Sequence, residues 1–142
     1  MLSITDVRGL IILHEGLRLK PYTDTVGKTT IGVGRNLTDK GLSFGEAEIL
    51  FTHDLEEHEM DLVGAYPWVL TLVAVRYAVM VDMAFNLGLP RLSGFKITLS
   101  SIEGGDYTHA AKEMLRSKWA RQVKTRAVRL SQMMASGEWP RE

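Results

Sequence analysis

The stretch from Leu70 to Leu87, LTLVAVRYAVMVDMAFNL, constrains this chain more than any other, because its 18 residues are almost entirely apolar. A run of that length has two physical outlets: a helix that crosses a bilayer, or a helix buried at the centre of a folded domain. Arg76 and Asp82 decide between them. Each would cost about 2.5–3.5 kcal/mol at a bilayer centre, and a lipid-facing helix offers neither a partner. The run therefore predicts a central core helix. A chain of 142 residues can bury such a helix in one domain without staples. It must do so, because the absence of cysteine rules out a disulfide framework and a thiolate zinc site.

Around that helix the chain reads as mainly helical with one short β region, an α+β arrangement. Ser3 and Asp6 resemble a capping box, and Ile4, Val7, Leu10 and Ile11 supply an apolar stripe for a first helix. That helix should stop at His14 or Glu15, with Gly16 as its terminator. The segment to Gly34 carries turn glycines among β-formers and predicts a small antiparallel sheet. Ser43 with Glu46 opens a second helix toward Val63, and Pro67 marks a break. Further helices are expected at 94–102, 107–117 and 125–135, closed by Gly137. The N-terminus has no basic region before its apolar stretch and no small-residue cleavage site, so it predicts an amphipathic helix rather than a secretion signal. Passage out of a cytoplasm would then depend on another protein.

Formal net charge is zero, which points neither to nucleic acid nor away from it. Its distribution is uneven. From Asp39 to Asp61 the only base is Lys40, and from Lys112 to Arg129 the only acid is Glu113. The basic segment places Trp119, Val123, Ala127 and Leu130 at helical spacing, which suits an interfacial helix or a core-facing one.

Chemistry concentrates in EGLRLKPYTDTVGKTTIGVGRN. Glu15 and Asp24 stand nine positions apart, and Thr30 follows six later. A carboxyl pair of this kind can protonate a leaving oxygen and activate water. Glu15, at the C-terminal end of a helix, should have its pKa raised by the macrodipole, as suits an acid. Asp24, in the polar β region with Lys20 and Lys28 near in sequence, should stay ionised, and Thr30 can orient a water. On the two acids alone, a surface helix-end acid and a turn residue explain the pair better, because such pairs are common.

The full string resembles the active-site signature of the phage-type lysozymes, the endolysin muramidases. LFTHDLE, MAFNLG, LSGF, SKWARQ, TRAVR and SGEW then fall in that family's order along nearly the whole chain. The resemblance implies a lysozyme-like fold: a small N-terminal lobe with a short antiparallel sheet (about 16–60) and a larger helical lobe (about 1–15 plus 65–142), joined by a long helix. It implies hydrolysis of the β-1,4 bond between N-acetylmuramic acid and N-acetylglucosamine in peptidoglycan, with no cofactor and no metal. Glu15 would be the proton donor, Asp24 the group directing water, and Thr30 the holder of that water. Inverting enzymes of this type keep their carboxyls roughly 6.5–9.5 Å apart.

The same resemblance suggests Asn36, Phe85, Asn86 and Thr98 as substrate contacts, Arg126 as a partner of Glu15, and an Arg35–Asp54 bridge. Glu113 replaces an expected amide. His53, His58 and His109 show no metal-ligand pattern, and His14 reads as a surface residue. The implied partner is the peptidoglycan glycan strand, not nucleic acid. The chain would act as a monomer, accumulating in a host cytoplasm and reaching the wall through holin lesions. A virion-tail module, which would need a longer chain, and a peptidoglycan-binding or membrane-disrupting protein using the basic segment are the competing readings.

Overall fold

The computed structural model describes residues 4–141. Its first helix, α1 (Val7–Glu15), starts at Asp6, whose carboxylate accepts from the Gly9 N–H at 2.8 Å. Ser3 of the expected cap lies outside the described residues. Gly16 ends α1 as expected, with φ of +77° and its N–H returned to the Ile12 carbonyl. Three strands follow: β1 (Arg18–Thr23), β2 (Thr29–Gly32) and β3 (Arg35–Asn36), antiparallel and in the order β1-β2-β3. Pro21 has no N–H for a ladder, so it sits in an edge strand, where the register shifts between Arg18 and Tyr22.

The capping box at Ser43 and Glu46 is present in both directions. The Ser43 N–H donates to Glu46 Oε1 at 2.8 Å, and the Glu46 N–H to Ser43 Oγ at 3.2 Å. It opens α2 (Phe44–Ala65), the longest helix described.

The chain divides into two compact units, one ending at Leu50 and the other beginning at Phe51, inside α2. Sequence reasoning gave the first helix to the helical part of the molecule. Here the first unit holds α1 together with the sheet, and the side chain of Glu15 lies against the β2–β3 turn at Gly34.

In the second unit the long apolar run is not one helix. Pro67 starts a 3₁₀ segment (Pro67–Thr71), Val73 is extended, and α3 (Ala74–Leu87) begins only there. The remaining helices are α4 (Leu89–Leu92), α5 (Lys96–Glu103), α6 (Tyr107–Arg116), α7 (Lys118–Val123) and α8 (Thr125–Ser136). Val79, Met80, Met83 and Ala84 of α3 are buried with Leu62, Leu92, Ile102, Met114 and Met134. The short helices α4 and α7 were not foreseen. Lys124, at φ +49°, breaks α7 from α8.

The stripe of Trp119, Ala127 and Leu130 is buried and Val123 packs against the core, so it faces inward rather than toward a membrane surface. Among the described residues no helix is long and apolar enough to cross a membrane.

The two charges of the apolar run are both matched. Arg76 donates to the carbonyls of Met134 (2.8 Å) and Ala135 (3.1 Å) at the end of α8, with its guanidinium 3.7 Å from the Tyr107 ring centroid. Asp82 accepts from Arg126 at 2.8 Å. A cation at the last carbonyls of a helix meets the negative end of its dipole. Arg76→Ala should therefore lower stability by roughly 2 kcal/mol, combining two charged hydrogen bonds and a cation–π contact. Urea unfolding with an unchanged m value would register it.

Candidate active site

Tyr22, Thr30 and Asn36 form one row across the sheet, Tyr22 pairing with Thr30 and Thr30 with Asn36. Directly paired residues share a face, so Asn36 stands beside Thr30 although six positions separate them in sequence. Both ends of the Asn36 amide are engaged with Asp39, at 3.0 Å each. Closing that turn is its visible role.

Asp24 begins the β1–β2 loop. Its Oδ1 accepts from the N–H groups of Val26 (3.0 Å) and Lys28 (2.8 Å), and its own N–H donates to the Lys28 carbonyl at 2.8 Å. The carboxylate is thereby oriented by backbone alone. The Lys28 ammonium, expected near Asp24, goes instead to Asp39 at 3.2 Å. Thr30 is almost fully buried, and its hydroxyl donates to the Lys28 carbonyl at 3.0 Å. A hydroxyl has one proton and two acceptor lone pairs. With the proton committed, Thr30 can only accept from a water, which fixes how that water turns its own lone pairs.

Glu15 lies at the other end of β2, exposed, its Oε2 packed over the β2–β3 turn. Two carboxyl groups thus flank one short strand, with a buried hydroxyl on that strand.

Arg35 was expected to pair with Asp54. Its guanidinium is held by the Glu46 carboxylate through both terminal nitrogens and by the Gly41 carbonyl at 3.0 Å. The helix cap brings Glu46 within reach, since it already faces back toward Ser43. Arg35, followed by the Ser43 N–H and hydroxyl, holds the Glu46 pKa down at about 2, while that bond pushes Arg35 upward.

A carboxylate whose folded pKa is depressed stabilises above its unfolded pKa and loses that contribution as pH falls through the folded value. Wild type should therefore melt above Glu46→Gln near pH 7. The gap should close between about pH 5 and pH 2, as thermal melts across that range will show.

In the second unit, Phe85 is half-buried, 5.9 Å edge-on from Phe51 and 5.0 Å from the His58 ring. It lines a hollow of about 450 Å³ with Leu55, Tyr77, Val81 and the Arg126–Asp82 pair. Asn86 accepts from the Trp119 indole N–H at 2.7 Å, so its amide is held in one orientation. Thr98 is 3 % exposed, which makes it a packing residue of α5 rather than a surface hydroxyl. Glu113 is engaged with Arg116 at 3.0 Å.

Arg126 was expected to pair with Glu15, and the partner found for it is Asp82, one of the two charges in the central run. His53, Asp54 and Glu57 bring potential ligand atoms within 4.8 Å of one another on exposed α2, a grouping the sequence reading did not note. Sequence reasoning also missed Gly34 and the Arg35–Glu46 pair. The Ser43–Glu46 cap carried a signal for the latter, since it fixes where that carboxylate points.

The phage lysozyme family profile matches residues 13–132. The probable T4-type lysozyme 1 of Dictyostelium discoideum is 24% identical, with 94% of this chain and 96% of that protein aligned. The probable T4-type lysozyme 2 of the same organism is 26% identical over the same shares. The pre-baseplate central spike protein Gp5 of Enterobacteria phage T4 is 30% identical over 87% of this chain, which spans only 26% of that protein.

Proposed function

Since the chain belongs to the phage lysozyme family and is thereby a glycoside hydrolase, we propose that it is an endolysin. It cleaves the β-1,4 bond between N-acetylmuramic acid and N-acetylglucosamine of bacterial peptidoglycan. Glu15 gives its proton to the glycosidic oxygen as the C1–O bond breaks. A water held by Thr30 attacks C1 and passes a proton to Asp24. The proton left on Asp24 and the one lost by Glu15 are then exchanged with solvent.

The observation that carries this reading is the pairing of Asp24 and Thr30 on one hairpin. The carboxylate is aimed by two backbone N–H groups, and the hydroxyl can only accept. The span of β2, roughly 10 Å at about 3.3 Å per residue, supports a gap wide enough for water and hence inversion. Phe85 and Asn86 are the second unit's candidates for sugar contact. The protein acts as a monomer, and membrane lesions made by a holin give it access to the wall.

Digestion of purified peptidoglycan tests the reaction. Free reducing ends are expected, whereas anhydro-sugar ends would make the protein a transglycosylase. Outer-membrane-stripped Gram-negative cells should clear when the protein is added. Cells that express it internally should lyse only once the inner membrane is permeabilised. The likeness to a phage spike protein favours one alternative, a virion-borne lysozyme, which would co-purify with particles and produce no such lysis.

A further inference from the structure

We propose that Gly34 is a positioning residue for the acid, holding the Glu15 carboxyl where its proton is delivered. This rests on the assignment of Glu15 as proton donor. Glu15 is exposed at the end of α1, where a long side chain would otherwise sample several staggered rotamers. Instead its end lies along the face of Gly34 from which a side chain would project. A Cβ there would stand 2.6 Å from Glu15 Oε2, 3.0 Å from Cδ and 3.3 Å from Cγ. Three consecutive atoms of the acid therefore use the space that only glycine leaves open. Gly34 also has φ of +68°, a conformation that favours glycine on its own account.

The glycine that ends β2 separates these two demands. Gly32 has φ of +69° and nothing within 4 Å of a Cβ position. Alanine at 32 carries the backbone strain alone, and alanine at 34 carries the same strain plus eviction of the acid. The Glu15 side chain is flexible and can move away, so the clash costs little stability. What it costs is position, and a displacement of about 1 Å at reacting groups can lower a rate about 10²-fold.

Gly34→Ala is expected to lower kcat on soluble peptidoglycan fragments by about 30- to 100-fold with KM little changed. Gly32→Ala should lose a similar amount of Tm and keep kcat within about threefold, as strain without contact requires. Gly34→Asn provides a second variant, because Asn accepts positive φ most readily among side chains while still carrying a Cβ. It should fold and lose kcat likewise.

In a Glu15→Asp background, which keeps only the Cγ contact at 3.3 Å and loses the two closer ones, the extra kcat loss of Gly34→Ala over Gly32→Ala should shrink. Equal kcat losses at 32 and 34, or full kcat in Gly34→Asn, would overturn the proposal. Glu15→Gln measured alongside separates the levels. If it stays active the acid assignment itself fails, and if it is inactive while Gly34→Ala behaves as Gly32→Ala, only the positioning role fails.

Discussion

Glu15→Gln is expected to abolish wall clearing, lowering kcat by about 10³-fold, while leaving the fold intact or slightly more stable. The first half follows from chemistry. An amide of the same shape keeps whatever contacts the carboxyl makes but has no proton to give, and general acid catalysis supplies about 10²–10⁴-fold. The second half follows from place. Glu15 is exposed at the C-terminal end of α1, where the Ile12 carbonyl accepts from the Gly16 N–H.

Removing an anion from the negative end of a helix dipole is worth about 0.3–1 kcal/mol in favour of folding. Activity should therefore vanish as Tm holds or rises, the mark of a group kept for chemistry at the expense of stability. Turbidity clearing and a thermal melt on the same preparation measure both. A variant that clears cells normally would remove Glu15 from the mechanism, and one that melts well below wild type would make it a structural residue.

The parts of the fold legible in the sequence are those whose signals act over a few residues. Gly16 and Gly137 end helices at positive φ, and Ser43 with Glu46 caps α2, because a cap needs only neighbours along the chain. Breaks within helical patterns were harder. The Leu70–Leu87 run looks continuous, yet Pro67 sets up a 3₁₀ turn that delays α3 to Ala74. The basic segment looks continuous too, and Lys124 bends it at an uncommon φ.

Ion-pair partners were least legible, since they depend on which side chains tertiary folding brings together. Arg35 was expected with Asp54 and is held by Glu46; Arg126 was expected with Glu15 and is held by Asp82. Spacing also cannot distinguish a hydroxyl at a surface from one packed in a helix interface, and Thr98 is the latter. Thr30 is buried as well, and its hydroxyl proton is committed to the Lys28 carbonyl, which leaves only its lone pairs to accept.

The second large effect is expected at Asp24, where two substitutions separate charge from architecture. Asp24→Asn should lower kcat by about 10²–10³-fold, since an amide cannot take a proton from water. Its remaining carbonyl oxygen can still accept from the Val26 and Lys28 N–H groups, so the β1–β2 loop keeps its form and Tm should move little. Asp24→Ala loses the same chemistry and also leaves both N–H groups without their protein acceptor. The Val26 bond is exposed and the Lys28 bond part-buried, so water replaces some of what is lost. A stability cost of roughly 1–2 kcal/mol is expected.

The pair should thus be equally inactive and unequally stable, as kinetics and urea unfolding on both variants would show. If Asn retained activity where Ala lost it, Asp24 would serve by shaping the loop that presents Thr30, and the base would have to be sought elsewhere. If both were inactive and equally stable, the charge would carry the function and the two hydrogen bonds would contribute nothing to folding.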